Sequence, residues 1–549
     1  MLSKDQIKQI LADQHAGILN KPLGIERTLL SDIDKTIKLP QVVVITGMRR
    51  VGKSTLMRQI IKKYYNDQHF YYINFEDERL FKFKAEDFNL LYEALIELYG
   101  EHQTFFIDEI QNIEHFENFV RRFYDSGFKF FITGSSARLL SREIGTKLTG
   151  RHIDMVVRPF SFCEYLSLKE VSLEEEMLYN TVERTKIKSH FQNYLVSGGM
   201  PEYLLYNEPE ILSRIYEDIV IKDIAVRYNV ANLSEMRDIY LYLITNVANK
   251  FSFNKLKTIS GVGSITTIKN YLHYLSETYF LQVINKFDYS LKKQMVNDKK
   301  AYIIDNGFFN VLSTKMTQDT GWLLENLVCN VLSANYRLYY FSDKYECDFV
   351  VQKENRIVSA IQVTAEINNI NEKREYNGLL NALKTFDLKE GLILTNDQES
   401  TIQIEDKTIH IKPVWKWLVE AERWKLKVRK FIKLKVKFER FEEIIAWQKA
   451  KEMTTQIYTL FKDNKDYGFK DQIQRASVSV MNNIAEGYER KSNTEFRQFL
   501  YIAKGSCGEV RSMIQLAKDL CYISEYDFNV LNTQAIEISK TISGLIKTL

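Results

Sequence analysis

Between the apolar run Val42–Ile45 and the helical stretch Thr55–Lys63 the sequence reads Gly47-Met-Arg-Arg-Val-Gly52-Lys53-Ser54. This is the spacing of a loop that wraps a polyphosphate. Its glycines let backbone N–H groups close around the β-phosphate, and the helix that follows presents its positive end. Lys53 reaches the β- and γ-oxygens, and Ser54 offers a hydroxyl to Mg²⁺. Gly47, Met48, Arg49, Arg50, Val51, Gly52, Lys53, Ser54 and Thr55 are therefore the candidate ATP-binding residues. Strand, loop and helix in this order predict a parallel sheet flanked by helices.

Three further β-rich runs, Phe70–Phe75, Thr104–Ile107 and Phe128–Ile132, alternate with helical stretches as such a sheet requires. The run Thr104–Ile107 ends in Asp108-Glu109, two acids some fifty residues after the loop. Asp108 is the expected metal ligand beside Ser54, and Glu109 the expected base that polarises the attacking water. At the end of the next run, Ser135 either senses the γ-phosphate or closes a simple turn.

Thr46 to Ser54, Ile107-Asp-Glu-Ile-Gln and Ile132-Thr-Gly-Ser-Ser together resemble the AAA-type ATPases widespread in bacteria and archaea, over roughly Gly24–Ser167. The resemblance extends to Leu148-Thr-Gly-Arg151 and to Pro159-Phe-Ser-Phe-x-Glu164-Tyr. It implies that Arg151 is an arginine finger, in cis or in trans; a structural salt bridge is the alternative.

From about Phe160 to Lys250 the pattern is helical, and Met236–Ile244, Phe253–Ile259 and Ser264–Leu275 read as three short helices of a winged helix-turn-helix. Its Thr266, Thr267, Lys269, Asn270 and His273 face either a DNA groove or solvent. Gly198-Gly-Met-Pro201-Glu202-Tyr resembles the uncharacterised region that accompanies this ATPase type. Thr320–Leu418 returns to mixed α/β and resembles the restriction-endonuclease fold, with Glu325 on a helix and Asp348 on a strand. Such a nuclease requires a second acid and a lysine where this chain has Gln362 and Thr364, so a degenerate, inactive fold is expected.

Arg423–Arg440 holds nine basic residues and one acid, Glu439, in alternation with apolar residues. The whole chain carries 75 basic and 71 acidic residues, net +4, so everything outside this seam is slightly acidic. The seam reads first as the scar of a gene fusion or an electrostatic tether, and otherwise as a strand. Beyond it, apolar residues recur at helical spacing in four blocks divided near Asn464–Gly468, Gly487–Asn493 and Tyr522–Asp527. Phe441–Ala450 and Gln472–Gly487 resemble the four-helix-bundle proteins encoded in intervening sequences of 23S rRNA genes. That resemblance implies a homo-oligomerising bundle without catalytic residues. Arg475, Asn482, Asn483, Glu486 and Arg490 lie on neighbouring turns and form either a subunit interface or a nucleic-acid contact.

At 549 residues with 45% hydrophobic content, the chain is long enough for several cores and too apolar to be disordered. No run approaches the roughly 18 to 20 apolar residues of a membrane span, and the first twenty residues contain Asp5 and Asp13, so a cytoplasmic protein without membrane contact is expected. The expected fold class is multidomain α/β plus α. Its units are an ATPase domain at 1–167, a helical region with a winged helix at 168–300 and a restriction-endonuclease-like domain at 301–420. A basic linker at 421–440 and a bundle at 441–549 follow. The expected function is Mg²⁺-dependent ATP hydrolysis coupled to a nucleic-acid or protein partner. The alternatives are a nucleotide-regulated DNA- or RNA-binding protein or oligomeric scaffold with little turnover, and, further behind, a nuclease.

Overall fold

The computed structural model describes residues 2–135, 150–171, 180–314, 319–421, 440–490 and 493–548. Two separate units form, Met1–Glu422 and Arg423–Leu549. The chain is multidomain α/β plus α.

The first unit opens with a five-stranded parallel sheet of order β2-β3-β4-β1-β5. The strands are β1 (Val42–Thr46), β2 (Tyr71–Asn74), β3 (Thr104–Asp108), β4 (Lys129–Gly134) and β5 (His152–Val156). Their side chains alternate between two cores, as period-2 geometry dictates. Val42, Val44, Phe105 and Ile107 face one side with the helices Phe88–Tyr99 and Phe116–Asp125. Val43, Ile45, Phe106 and Phe131 face the other with the helix Lys53–Ile60. Cross-strand aromatic pairs hold the register: Phe105 stacks on Phe130 at 5.0 Å and Phe106 on Phe131 at 4.7 Å. β5 lies in the stretch His152–Val156, where the sequence carried no strand expectation. It is an edge strand with a half-exposed pattern, so its apolar signal is weak.

The remainder of this unit is built on a mixed nine-stranded sheet of order β13-β14-β12-β11-β10-β9-β7-β8-β6. Here β6 is Lys250–Phe251, β7 Leu281–Lys286, β8 Lys299–Ile303, β9 Arg337–Ser342 and β10 Glu346–Lys353. The others are β11 (Arg356–Val363), β12 (Glu390–Thr395), β13 (Ser400–Ile404) and β14 (Lys407–Pro413). The helices Leu233–Thr245, Phe253–Ser260 and Ile265–Glu277 agree with the three read from the sequence. The boundary expected at residue 300 falls inside β8, and β7 pairs in parallel with β9 across it. One apolar core runs through both halves, from Phe162 to Val419.

The second unit contains the helices Ile445–Leu460, Tyr467–Glu489, Asn493–Asp519 and Glu525–Thr548, and its apolar core is self-contained from Ile444 to Ile542. The breaks agree with the polar segments read from the sequence. The basic seam lies outside the described residues, except for Arg440. Among the described residues no helix is long and apolar enough to cross a membrane.

Candidate nucleotide site

Parallel strands bring their carboxyl ends to one edge of the sheet, and β4 lies between β1 and β3. Asp108, which ends β3, is buried, whereas the loop after β1, Glu109 just past β3 and Ser135 after β4 therefore meet at one place. They line a cleft of about 360 Å³ that includes Arg49, Arg50, Lys53, Ser54, Thr55, Glu109 and Ser135. Gly47 and Gly52 take left-handed φ values of 145° and 98°, and a Cβ on Gly47 would stand 2.3 Å from the Val157 carbonyl oxygen. Glycine is required there by space as well as by dihedral.

Lys53 Nζ donates to the carbonyls of Gly47 (3.1 Å) and Met48 (3.2 Å) and lies 3.6 Å from Glu109 Oε1. Asp108 is buried, accepting from Thr133 Oγ1 and, at 3.4 Å, from the Tyr72 hydroxyl. Thr133 Oγ1 in turn accepts the Glu109 N–H at 2.9 Å. Glu109 has φ +51°, a conformation that a non-glycine residue holds only when its surroundings enforce it. Burial pushes the Glu109 carboxyl above its ordinary range, with Lys53 opposing and Asp108 adding to the shift. Gln111 Nε2 donates to Glu109 Oε2 and, at 3.5 Å, to Ser135 Oγ.

Met48, Arg49 and Arg50 of the loop point away from the sheet. Met48 is buried in the core that begins at Phe162, whereas Val51 joins the core beneath β1. Arg49 makes a two-pronged pair with Asp223 (2.9 and 3.1 Å), whereas Arg50 reaches both oxygens of Glu202 from its Nη1 alone (2.9 and 3.0 Å). Behind the loop, Arg27 Nη1 donates to the Val51 carbonyl at 3.0 Å while its Nε pairs with Glu164 at 3.0 Å. The acid of the Pro159-Phe-Ser-Phe-x-Glu164 motif therefore braces the phosphate loop through an arginine 137 residues away. Gly199 comes so close to Phe160 that its Cβ would stand 2.2 Å from the Phe160 carbonyl oxygen.

Arg151 is not brought to the cleft. It precedes β5, at the opposite end of the sheet, roughly 16 Å away for five residues at about 3.3 Å each. There it pairs with Asp125 at 2.7 Å and lies over the Tyr124 ring. Its motif partners Leu148 and Thr149 lie outside the described residues. Tyr72, Arg27 and Asp223 were not singled out by the sequence, and Thr133 and Glu202 stood there only inside motifs without a role, because their partners are distant in it.

A second cluster corrects the expectation that Glu325 and Asp348 lack a lysine. Lys300, on β8, places Nζ 2.9 Å from Glu325, 2.9 Å from Glu346 and 3.1 Å from Asp348. Burial alone would lower this ammonium, but the three carboxylates override it and hold it well above its ordinary value. Burial and the Asp348 charge push the Glu325 carboxyl up to about 7. Gln362, in the expected acid position, bonds Glu375 at 2.7 Å and the Asp348 N–H at 3.2 Å. Thr364, in the expected lysine position, donates to the Glu366 carbonyl. Among the described residues no group of three or more acids, histidines or cysteines is arranged to hold a metal ion.

On the helix Ile265–Glu277, Thr266, Lys269, Asn270 and His273 are exposed and Thr267 is half-buried. In the bundle, Arg475, Asn482, Asn483 and Glu486 line one cleft of about 330 Å³ with Tyr458, Val478 and Ser479, and Arg490 pairs with Glu486.

Three family descriptions match the chain: an AAA domain over residues 39–166, a domain of unknown function over 188–319, and a 23S rRNA-intervening sequence protein over 442–544. An uncharacterised protein of Methanocaldococcus jannaschii is 35% identical over 406 residues, covering 70% of this chain and 90% of its own length. The chain belongs to the family of that protein. A further member, an uncharacterised protein of Haemophilus influenzae, is 31% identical and covers 59% of this chain and 83% of its own length. The present chain carries both the AAA domain and the 23S rRNA-intervening sequence domain. A solved protein of unknown function from the S23 ribosomal protein family of Bacteroides thetaiotaomicron is 25% identical, covering 19% of this chain and 99% of its own at a TM-score of 0.18. The AAA domain supports nucleotide binding and makes the chain ATPase-like.

Proposed function

We propose that this protein is a Mg²⁺-dependent ATPase whose nucleotide state is passed to a DNA-binding partner surface of the same chain. The supporting observation is the meeting of Lys53, Ser54, Glu109 and Ser135 around one cleft at the carboxyl edge of the sheet. Ser54 and Asp108 supply the hard oxygen donors that suit Mg²⁺. Bound by them, the ion would neutralise charge on the β- and γ-phosphates. Lys53 exchanges the carbonyls of Gly47 and Met48 for phosphate oxygens. Glu109, in its carboxylate form, takes the proton of the attacking water, and Gln111 links it to Ser135, which faces the γ-phosphate. Arg151 belongs to this proposal only in trans, given its pairing with Asp125 at the far end of β5.

For the domain organisation we take 1–167 as the ATPase domain, 168–420 as one continuous body with a helical half and a nuclease-like half, and 441–549 as a bundle that assembles copies of the chain. The helices between Leu233 and Glu277 with strands ordered β7-β8-β6 support a winged helix. Residues 233–303 carry ten lysines and arginines against five acids, eight against five without the buried Lys299 and Lys300, which favours DNA over a neutral partner. Lys53→Ala is expected to abolish ATP binding, and Glu109→Gln to retain it while turnover falls on the order of 10²-fold or more. Unchanged turnover in Glu109→Gln removes Glu109 as the base.

A further inference from the structure

In the phosphate loop, three consecutive side chains leave the ATPase sheet and enter the region after Phe160. Met48 is 1% exposed within the core formed by Phe162, Phe191 and Ile219. Arg49 holds Asp223, a buried acid in the wide π-helical turn Ile219–Val226. Arg50, itself in a left-handed conformation at φ +61°, holds Glu202 in the first turn of the helix Pro201–Tyr206. Both arginines also line the cleft that contains Lys53.

We infer that the phosphate loop is itself the transmitter between nucleotide and the helical region, with Asp223 and Glu202 competing against a bound triphosphate for Arg49 and Arg50. This rests on reading the cleft as an ATP site. The chemistry is a choice of anion. A guanidinium forms the same two-pronged hydrogen bonds with a carboxylate as with a phosphate, and a triphosphate brings more charge than either acid. When the arginines turn to phosphate, the helix Pro201–Tyr206 and the π-turn lose their ties to the loop. Met48 keeps the loop backbone anchored in the same core, so a shift of the loop is felt there directly. The coupling is reciprocal: a partner that displaces either helical segment changes the affinity for nucleotide by the same factor that nucleotide changes the affinity for the partner.

The test is the affinity of the full-length chain for fluorescent methylanthraniloyl-ATP with Mg²⁺. Glu202→Gln and Asp223→Asn each remove a competing charge while preserving shape, and are expected to tighten binding roughly threefold to tenfold. The direction is diagnostic, because a variant that merely loosened the loop would bind more weakly. Amide hydrogen exchange of the wild-type chain is expected to rise at 201–206 and 219–226 when ATP is added. Affinities within twofold of wild type, weakened binding in both variants, or exchange at both segments indifferent to ATP overturns the inference. Glu202→Gln lies on a half-exposed site and keeps the test open if Asp223→Asn does not fold. Lys53→Ala is the separate control: binding undiminished in that variant rejects the ATP-site reading itself.

Discussion

Glu109 is constrained in backbone and side chain together. Its φ of +51° is held by the N–H bond to Thr133, and its carboxylate is held between Lys53 and Gln111. A base must be deprotonated, and burial raises this carboxyl above the ordinary range. The protonated, inactive form therefore persists to higher pH than for an exposed glutamate. We expect kcat/KM for ATP hydrolysis to fall on the acid side, with a limb displaced above that of an exposed glutamate, recorded as a profile from pH 4 to 9. A limb no higher than that of an exposed glutamate is incompatible with the buried Glu109 as the base. The positions of Lys53 and Asp108, at the start of a helix and at the end of β3, were legible from spacing alone, since each sits in a short contiguous motif. Lys300 was not. It lies 25 residues before Glu325 and 48 before Asp348, and its approach to both carboxylates is a tertiary fact.

At the scale of elements, the contact between Phe160 and Gly199 joins two motifs that the sequence presents forty residues apart. Phe160 N–H donates to the Gly199 carbonyl at 2.7 Å, and the buried Asp305 accepts the Gly199 N–H. Here Gly199 is a matter of space. Gly199→Ala would drive a methyl into backbone, and is expected to cost on the order of 2–3 kcal/mol in urea unfolding of the full chain. A loss below about 0.5 kcal/mol would show that the chain relaxes around it. The helices of the bundle and of the 233–277 segment were legible because amphipathic spacing and polar breaks are local signals. β5 and β6 were not, since an edge strand and a two-residue strand carry almost no pattern of their own.

At the scale of the molecule, the two units have cores that share no residue: the last core position of the first is Val419, and the bundle core begins at Ile444. Calorimetry of the full chain is therefore expected to show two separable transitions, one of which is reproduced by residues 440–549 alone. A single transition, or a fragment without helical circular dichroism, contradicts this. By itself the sequence determined the phosphate loop, the acids that end β3, the helices and the division before the bundle, because each depends on residues close in the chain. The tertiary structure alone decided three matters. It moved Arg151 away from the cleft, since strand direction sets which end of the sheet a residue occupies. It gave Glu325 and Asp348 a lysine. And it tied Arg49 and Arg50 to acids 174 and 152 residues away, a pairing of charges that only the packing of one element on another can bring about.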